Sequence, residues 1–594
     1  MVADNPNGNS PPEGDSEALR LTRDHGDRGP SFVERLSDRL DRLSFSSPLH
    51  RMRLQGRFPL KLLAVPVDPV AGDAKTGVRL KGGRLFLAGY GEAMADARFD
   101  APGAPKAWTD WVHGWGWLRD IATAQPLASS EIARIEALSR RWLARFHDYE
   151  QTAWAPQLTG RRILMAISHA PLVMPRHDHI HRSAVLNGIA RWARHLDRAA
   201  PRMPEGLEKA EAVAGLLGAA LLLPGGDERQ AIAERMLETT LGALLRDDDA
   251  PVSRSPFDLA RVGDLLLVVE QFYNARALAA APVVASGLAR VRSGLAALSM
   301  GNGLPSPWHG GQPTLAQMAR LAPRPGDGIQ RRSGFQRMAA GKTLLVMDAC
   351  PPPPARLSDT AHASTLAIAM SDGARMLIVS CGGERGGGPE GARAFPAELV
   401  MGLRSTAGHS ALVLADTNSS RLADGGPRKL GGVEEVLAES RSSGDGHWLE
   451  ARHDGYRRRF GYDHMRRLYL SADGHDLRGE DQLLPAKAGL PIPGRRETHS
   501  IAIRFHLGAG CEATLTQDGC GALINLPASR PQDRTAWAFR ARFDSAPGTL
   551  AVEPSLLIDS EGEMHQIQQL LLVTQTGDGK AASVGWSFRR QGRG

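Results

Sequence analysis

KTLLVMDA (342–349), TLAIAM (365–370) and RMLIVS (375–380) decide how the second half of this chain is built. Each is a short run rich in β-branched and aliphatic residues, the composition of a strand bounded by turns. The same pattern returns downstream in ALVLAD (411–416), HWLEARH (447–453), RRLYLSA (466–472), SIAIRFHL (500–507), ATLTQ (513–517), ALINL (522–526), TAWAFRARF (535–543) and QQLLLVTQT (568–576). Gly, Asp, Asn and Pro separate these runs, and no helical period intervenes. So many consecutive strands imply a large antiparallel β-sandwich.

Upstream the period changes. In EIARIEALSRRWLARFHDYE (131–150), Ile132, Ile135, Leu138, Trp142 and Phe146 recur at steps of three and four, one apolar helix face. Val185, Ile189, Trp192 and Leu196 repeat it. LEKAEAVAGLLGAALLL (207–223) is apolar nearly all round, as expected of an inner helical layer. Consecutive helical hairpins of this kind predict an α/α toroid. The fold class is therefore α+β multidomain: an N-terminal α/α toroid, an incomplete barrel of hairpins, followed by a large antiparallel β-sandwich. Expected bounds are a disordered tail over 1–50, a small cap over 51–125, the toroid over 126–325 and the sandwich over 326–594. WTDWVHGWGWLRD (108–120) reads as a cap packing its tryptophans, with a sugar-stacking platform as the alternative.

With 594 residues, 42% hydrophobic and 23% charged, the chain has a globular composition. No run of about 18 apolar residues predicts a membrane span. Four scattered cysteines without a CxxC pair exclude a disulfide framework and a thiolate zinc site. A net charge of +7 suits an anionic partner, yet no nucleic-acid module or Lys/Arg tract is present. The N-terminal stretch carries no readable secretory signal.

SGFQRMAAGKTLLVMDA (333–349), AHASTLAIAMSDGARMLIVSCG (361–382), LRSTAGHSALVLADTNSS (403–420) and RFGYDHMRRLYLSADGHDLRGEDQL (459–483) resemble the heparinase II/III family of polysaccharide lyases. The resemblance implies β-elimination on a uronate-containing polysaccharide: a polar group neutralises the carboxylate, a Tyr or His removes the C5 proton, and an acid protonates the leaving oxygen. It implies an acidic polysaccharide as partner, allows a homo-oligomer and requires no cofactor. It places the protein in the cell envelope, with the cytoplasm as the alternative. The family's tools are depleted here. Glu205 and Gly206 stand at an Asn-His pair, Phe257 or Asp258 at the catalytic Tyr, and Thr360 at a His. A catalytically lapsed glycan-binding protein is the alternative function.

By the resemblance, Tyr456, His464 and Arg466 become the remaining candidates for acid–base work and carboxylate binding. Strand alternation puts Tyr456, Arg458 and Phe460 on one face, with Arg457 and Arg459 on the other. After the GYD turn it puts His464, Arg466 and Leu468 on one face. By the resemblance, the Tyr/His/Arg side looks toward the toroid. Trp154, Arg161, His169 and Arg254 are candidate sugar contacts, since arginine pairs with carboxylate or sulfate through two donors. Trp308 and His309, in MGNGLPSPWHGG (300–311), sit on a loop expected to close over a cleft. Family zinc ligands would fall at His362 and His409, with Ser380 replacing an Asp between them. Two histidines need further donors to hold zinc. His177, Asp178, His179 and His181 read as a polar loop capping a helix, with a metal site as the alternative. Asp473 and Asp481 read as turn residues.

Overall fold

The computed structural model describes residues 17–23, 44–56, 61–175, 177–321, 330–332, 334–385, 395–422, 432–486, 498–528, 530, 533–577 and 579–592. The helical half contains α1 (Lys106–His113), α2 (Trp117–Thr123), α3 (Ser129–Arg145), α4 (Pro156–Ser168), α5 (His179–Ala199), α6 (Leu207–Leu222), α7 (Asp227–Leu244), α8 (Pro256–Ala275) and α9 (Pro282–Leu298). Local chemistry starts these helices where they start. Asp178 accepts the His181 N–H at 2.8 Å at the head of α5, and Ser255 caps α8. Every residue of α6 from Lys209 to Leu222 is buried, so this helix is the inner layer foreseen from its all-round apolarity.

Helices α4 and α6 approach closely because two glycines face each other. A Cβ added at Gly215 would lie 2.3 Å from Gly160 Cα. Trp108, Trp111, Trp115 and Trp117 are buried in the same apolar cluster as α3 to α9. They are structural, and the expected boundary at 125/126 does not separate two cores. The boundary at 325/326 lies outside the described residues.

The second half is a two-sheet sandwich. One sheet runs in the order Glu17–Thr22, Glu435–Ser443, Gly446–His453, Tyr462–Ser471, Asp476–Pro485, Ala582–Arg590, Ala536–Phe543, Gly521–Asn525, Glu512–Leu515. The other runs Thr549–Ile558, Met564–Gln575, Ser500–Leu507, Arg375–Val379, Ile368–Asp372, Thr343–Asp348, Phe335–Ala340, Gln330–Arg332. All named strand pairs are antiparallel, and Phe505, Phe539, Trp586 and Phe588 interlock between the sheets. Two expectations are corrected. Glu17–Thr22, expected in a disordered tail, pairs with residues 435–440 as an edge strand; residues 1–16 and 24–43 lie outside the description. Arg457–Phe460, read as a strand, is one helical turn closed by Gly461 in the left-handed region. Among the described residues no helix is long and apolar enough to cross a membrane.

Candidate functional site at the domain joint

The toroid and the sandwich meet where Ser253–Asp258, Ser306–Gly311, Asp348, Thr360–Ser364 and Arg385 converge. Arg254, buried and at φ 61, hydrogen-bonds Asp348 Oδ1 across the joint and donates to the Pro351 carbonyl at 3.0 Å. Its guanidinium lies 4.7 Å from the Phe335 ring centre. Ser364 Oγ donates to Asp348 Oδ2 at 2.6 Å, and His309 Nε2 stands 3.3 Å from the same oxygen. Burial would raise the Asp348 carboxyl. The Arg254 charge, with His309 and Ser364, overcomes it and holds the group below the usual carboxylate range.

Backbone donors set the histidine tautomers here. The Gly310 N–H donates to His362 Nε2 at 2.9 Å, so His362 donates from Nδ1 to His409 Nε2 at 3.1 Å. His409 then donates from Nδ1 to Ser380 Oγ at 2.8 Å. The His362 N–H in turn donates to His309 Nδ1 at 3.2 Å. Burial pushes His362 well below its ordinary value and His409 down to about 3, so the chain is neutral.

This donor set does not fit a structural zinc. His362 and His409 face each other, but Ser380 engages the far nitrogen of His409 rather than the space between the rings. Among the described residues, no group of three His, Cys, Asp or Glu side chains could hold a metal. His177 and His181 likewise do not converge: His177 is exposed, while His181 is buried against Ser139.

Arg385 closes the joint. It donates to Asp258 Oδ1 at 2.6 Å, Ser255 Oγ at 3.2 Å and Thr360 Oγ1 at 2.8 Å, and sits 5.0 Å from the Phe257 ring centre. The backbone at Gly310 and Gly311 (φ 108 and 151) passes so close that a Cβ at Gly311 would fall 1.9 Å from the Arg385 carbonyl oxygen. Phe257, Asp258 and Thr360 are the positions aligned with the family's Tyr and His. They surround an arginine, and none supplies a Tyr or His to remove a proton. Trp308, stacked on His409 with ring centres 6.4 Å apart, and His309 are buried in the joint. Their loop is packed in place rather than hinged over a cleft.

Tyr456, His464 and Arg466 do not reach this joint. Strand alternation put His464 and Arg466 on one face correctly, but that face turns into the sandwich, not toward the toroid. Arg466 pairs with Asp481 through Nε at 2.8 Å and Nη2 at 2.9 Å. Its Nη1 donates to the Leu366 and Ser410 carbonyls at 2.8 and 2.9 Å, tying its strand to segments that lead into the other sheet. His464 donates to Asp481 at 2.7 Å and accepts from His453 at 3.2 Å, because the Gly455 N–H occupies the other His453 nitrogen. Tyr456 donates to the Leu412 carbonyl at 2.9 Å, and burial pushes its phenol up. All three are shut off from any polymer and serve as struts. Asp481, expected to serve a turn, is the hub of this network; Asp473 does serve one, accepting from the His475 N–H at 2.9 Å.

The remaining sugar candidates are engaged as well. Trp154 is buried and donates to the Phe146 carbonyl at 3.1 Å. Arg161 shares Glu211 Oε1 with Arg261, at 2.8 and 2.6 Å. His169 stands 3.2 Å from Asp68, which also pairs with Arg119 at 2.9 Å. Arg119, Arg161 and Arg261 line a cavity of about 60 Å³ with Glu211 and Asp264, so its basic wall is matched by carboxylates.

A heparinase II/III-like C-terminal family model matches residues 325–587. This chain thus carries a heparinase II/III-like C-terminal domain in its second half. The solved structure of heparinase III shares its fold at a TM-score of 0.65 and 11% identity, covering 83% of this chain and 79% of that one. The heparan sulfate lyase HepC from Pedobacter heparinus superposes at 0.59 with 11% identity, over 95% and 91% of the two chains. FtsZ-localized protein C of Caulobacter vibrioides (strain NA1000 / CB15N) is 27% identical over 568 residues, 93% of this chain and 94% of that protein. The heparinase II/III fold thus carries both halves. Arg385 and Asp481 were the residues sequence reasoning missed. Asp481 had a local signal, since it stands opposite Arg466 in the antiparallel register. Arg385, in a Gly-rich run, had none.

Proposed function

We propose that this heparinase II/III fold has given up β-elimination and works as a non-catalytic component of the FtsZ-based division apparatus. The observation that carries the reading is the Arg385 knot: Phe257, Asp258 and Thr360 bind an arginine where the family's base and acid would meet a uronate. The near full-length likeness to a protein named for its FtsZ localisation supports the cellular role. The reading puts the protein in the cytoplasm rather than the cell envelope. An active lyase is disfavoured because Arg119, Arg161 and Arg261 already face Asp68, Glu211 and Asp264.

Two measurements test it together. A fluorescent fusion should co-localise with FtsZ in the native host. The purified chain, incubated with heparin, heparan sulfate, chondroitin, hyaluronan and alginate, should give no rise in the ultraviolet absorbance of an unsaturated uronate. A diffuse fusion would sink the cellular role. An absorbance rise lost on Asp258→Asn would restore the lyase.

A further inference from the structure

We propose that the cavity between α3 and α5 is a binding site for one small aromatic monoanion carrying an O–H or N–H donor. It offers about 350 Å³, partly open to solvent, and lies in the helical half, using none of the residues of the joint. Ligand sites of this size are apolar with a few placed polar groups. Here Phe146, Trp154 and Trp192 supply aromatic walls, and Ala144, Ala184 and Gly188 leave the space open.

The polar groups define the ligand. His181 lines the cavity, is 2% exposed, and its Nδ1 has no hydrogen-bond partner. Its tautomer follows from its neighbour. Ser139 Oγ donates to the Glu136 carbonyl at 2.9 Å, so it can only accept from His181 Nε2, 3.0 Å away. Burial, with Arg140 adding to it, lowers the His181 pKa, so the ring is neutral and Nδ1 is a bare acceptor. A buried acceptor left unpaired is costly, and a ligand O–H or N–H satisfies it.

Charge comes from Arg191; Arg140 also lines the cavity but is paired with Asp178 at 2.7 Å. Arg191 lies 5.9 Å from the Trp154 ring centre and is 12% exposed, while its carboxylate partner Asp148, 3.5 Å away, is 50% exposed. A well-solvated Asp148 is readily exchanged for a ligand anion, which the largely buried guanidinium holds more firmly. An aromatic ring fits the walls by stacking on tryptophan.

The test uses the full-length protein and 1-anilinonaphthalene-8-sulfonate, an aromatic monoanion with an N–H donor. Its fluorescence should titrate to one site per chain, with energy transfer from tryptophan. Ala184→Leu and Ala144→Leu fill the cavity from opposite walls, and each should weaken binding by at least about tenfold while the melting temperature holds. 6-Hydroxynaphthalene-2-sulfonate should outcompete naphthalene-2-sulfonate on the wild type but not on His181→Phe. Arg191→Gln should weaken both anions alike. Absence of saturable binding, or binding untouched by both filling variants, overturns the proposal. An equal preference for the two naphthalene sulfonates on the wild type overturns the role of His181.

Discussion

Two buried aspartates organise this molecule, and they differ in what they join. Asp481 sits between two sheets of one sandwich, and Asp348 sits between two domains. Each carries an arginine and a histidine, and beside each a histidine chain is oriented by a backbone N–H: Gly455 at His453, Gly310 at His362. The Asp481 network is assembled from residues 453–481, the Trp586 indole N–H at 2.8 Å and two carbonyls from segments that lead into the opposite sheet. The Asp348 network draws on segments from Arg254 to Arg385, on both sides of the joint. A buried ion pair of either kind contributes little net stability, because desolvation offsets the attraction. Removing one partner is costly, because a buried charge remains. The difference teaches that similar polar clusters can specify strand packing in one place and domain docking in another.

The largest expected effects separate these two roles. Arg466→Met should destabilise the sandwich by about 3–5 kcal/mol, the cost of stranding a buried carboxylate. The loss should appear as a lower denaturant midpoint of a single transition. Arg254→Met strands Asp348 at comparable cost, but should split unfolding into two transitions as the domains uncouple. If both variants keep one transition, the joint is not a separable unit and the comparison fails.

Acid sharpens the contrast next. Burial lowers His195 in the toroid and His409 at the joint to about 3. Both stay neutral in the folded protein while the unfolded chain takes up protons below about 6.5. Stability is therefore complete above about pH 6.5 and declines as pH falls toward 3. The loss is about 1 kcal/mol per such histidine for each pH unit over that window. Denaturant midpoints measured from pH 7 to 5 should fall before ordinary carboxylates titrate. His409→Gln, keeping a hydrogen bond to Ser380, should flatten the slope; an unchanged slope would show that the joint histidine does not contribute.

The smallest expected effect concerns Arg385, whose side chain is 19% exposed and whose partner Asp258 is 18% exposed. Arg385→Gln should cost about 1 kcal/mol, discounted for solvent screening. Hydrogen exchange should quicken at Ser306–Gly311 and Thr360–Ser364, with no gain of lyase activity. Elimination appearing in this variant would mean that the arginine alone blocks an otherwise competent site.

Much of the architecture was legible in the chain. The three-and-four spacing of Ile135, Leu138 and Trp142 and the all-round apolarity of Leu207–Leu222 announced two helical layers, and both are buried as expected. The alternation through Tyr462–Ser471 put His464, Arg466 and Leu468 on one side, and the burial pattern agrees. Alternation cannot say which side faces the core when both faces carry charge. The arginines of Arg457–Phe460 read as strand, yet a single helical turn ending at Gly461 is an equally local solution.

What the sequence determined by itself is the likeness of its second half to the heparinase II/III family, the order of toroid and sandwich, and the absence of a Tyr or His at positions 257, 258 and 360. These depend on period and residue identity, both local properties of the chain. Only the tertiary structure decided that Tyr456, His464 and Arg466 are struts, and that Arg385 fills the joint. It also decided that Ser380 meets the far side of His409, and that His181, lining an aromatic cavity, keeps a buried nitrogen without a hydrogen-bond partner. Each of those outcomes depends on partners distant in sequence, brought together when burial makes every unmatched charge and hydrogen-bonding group costly.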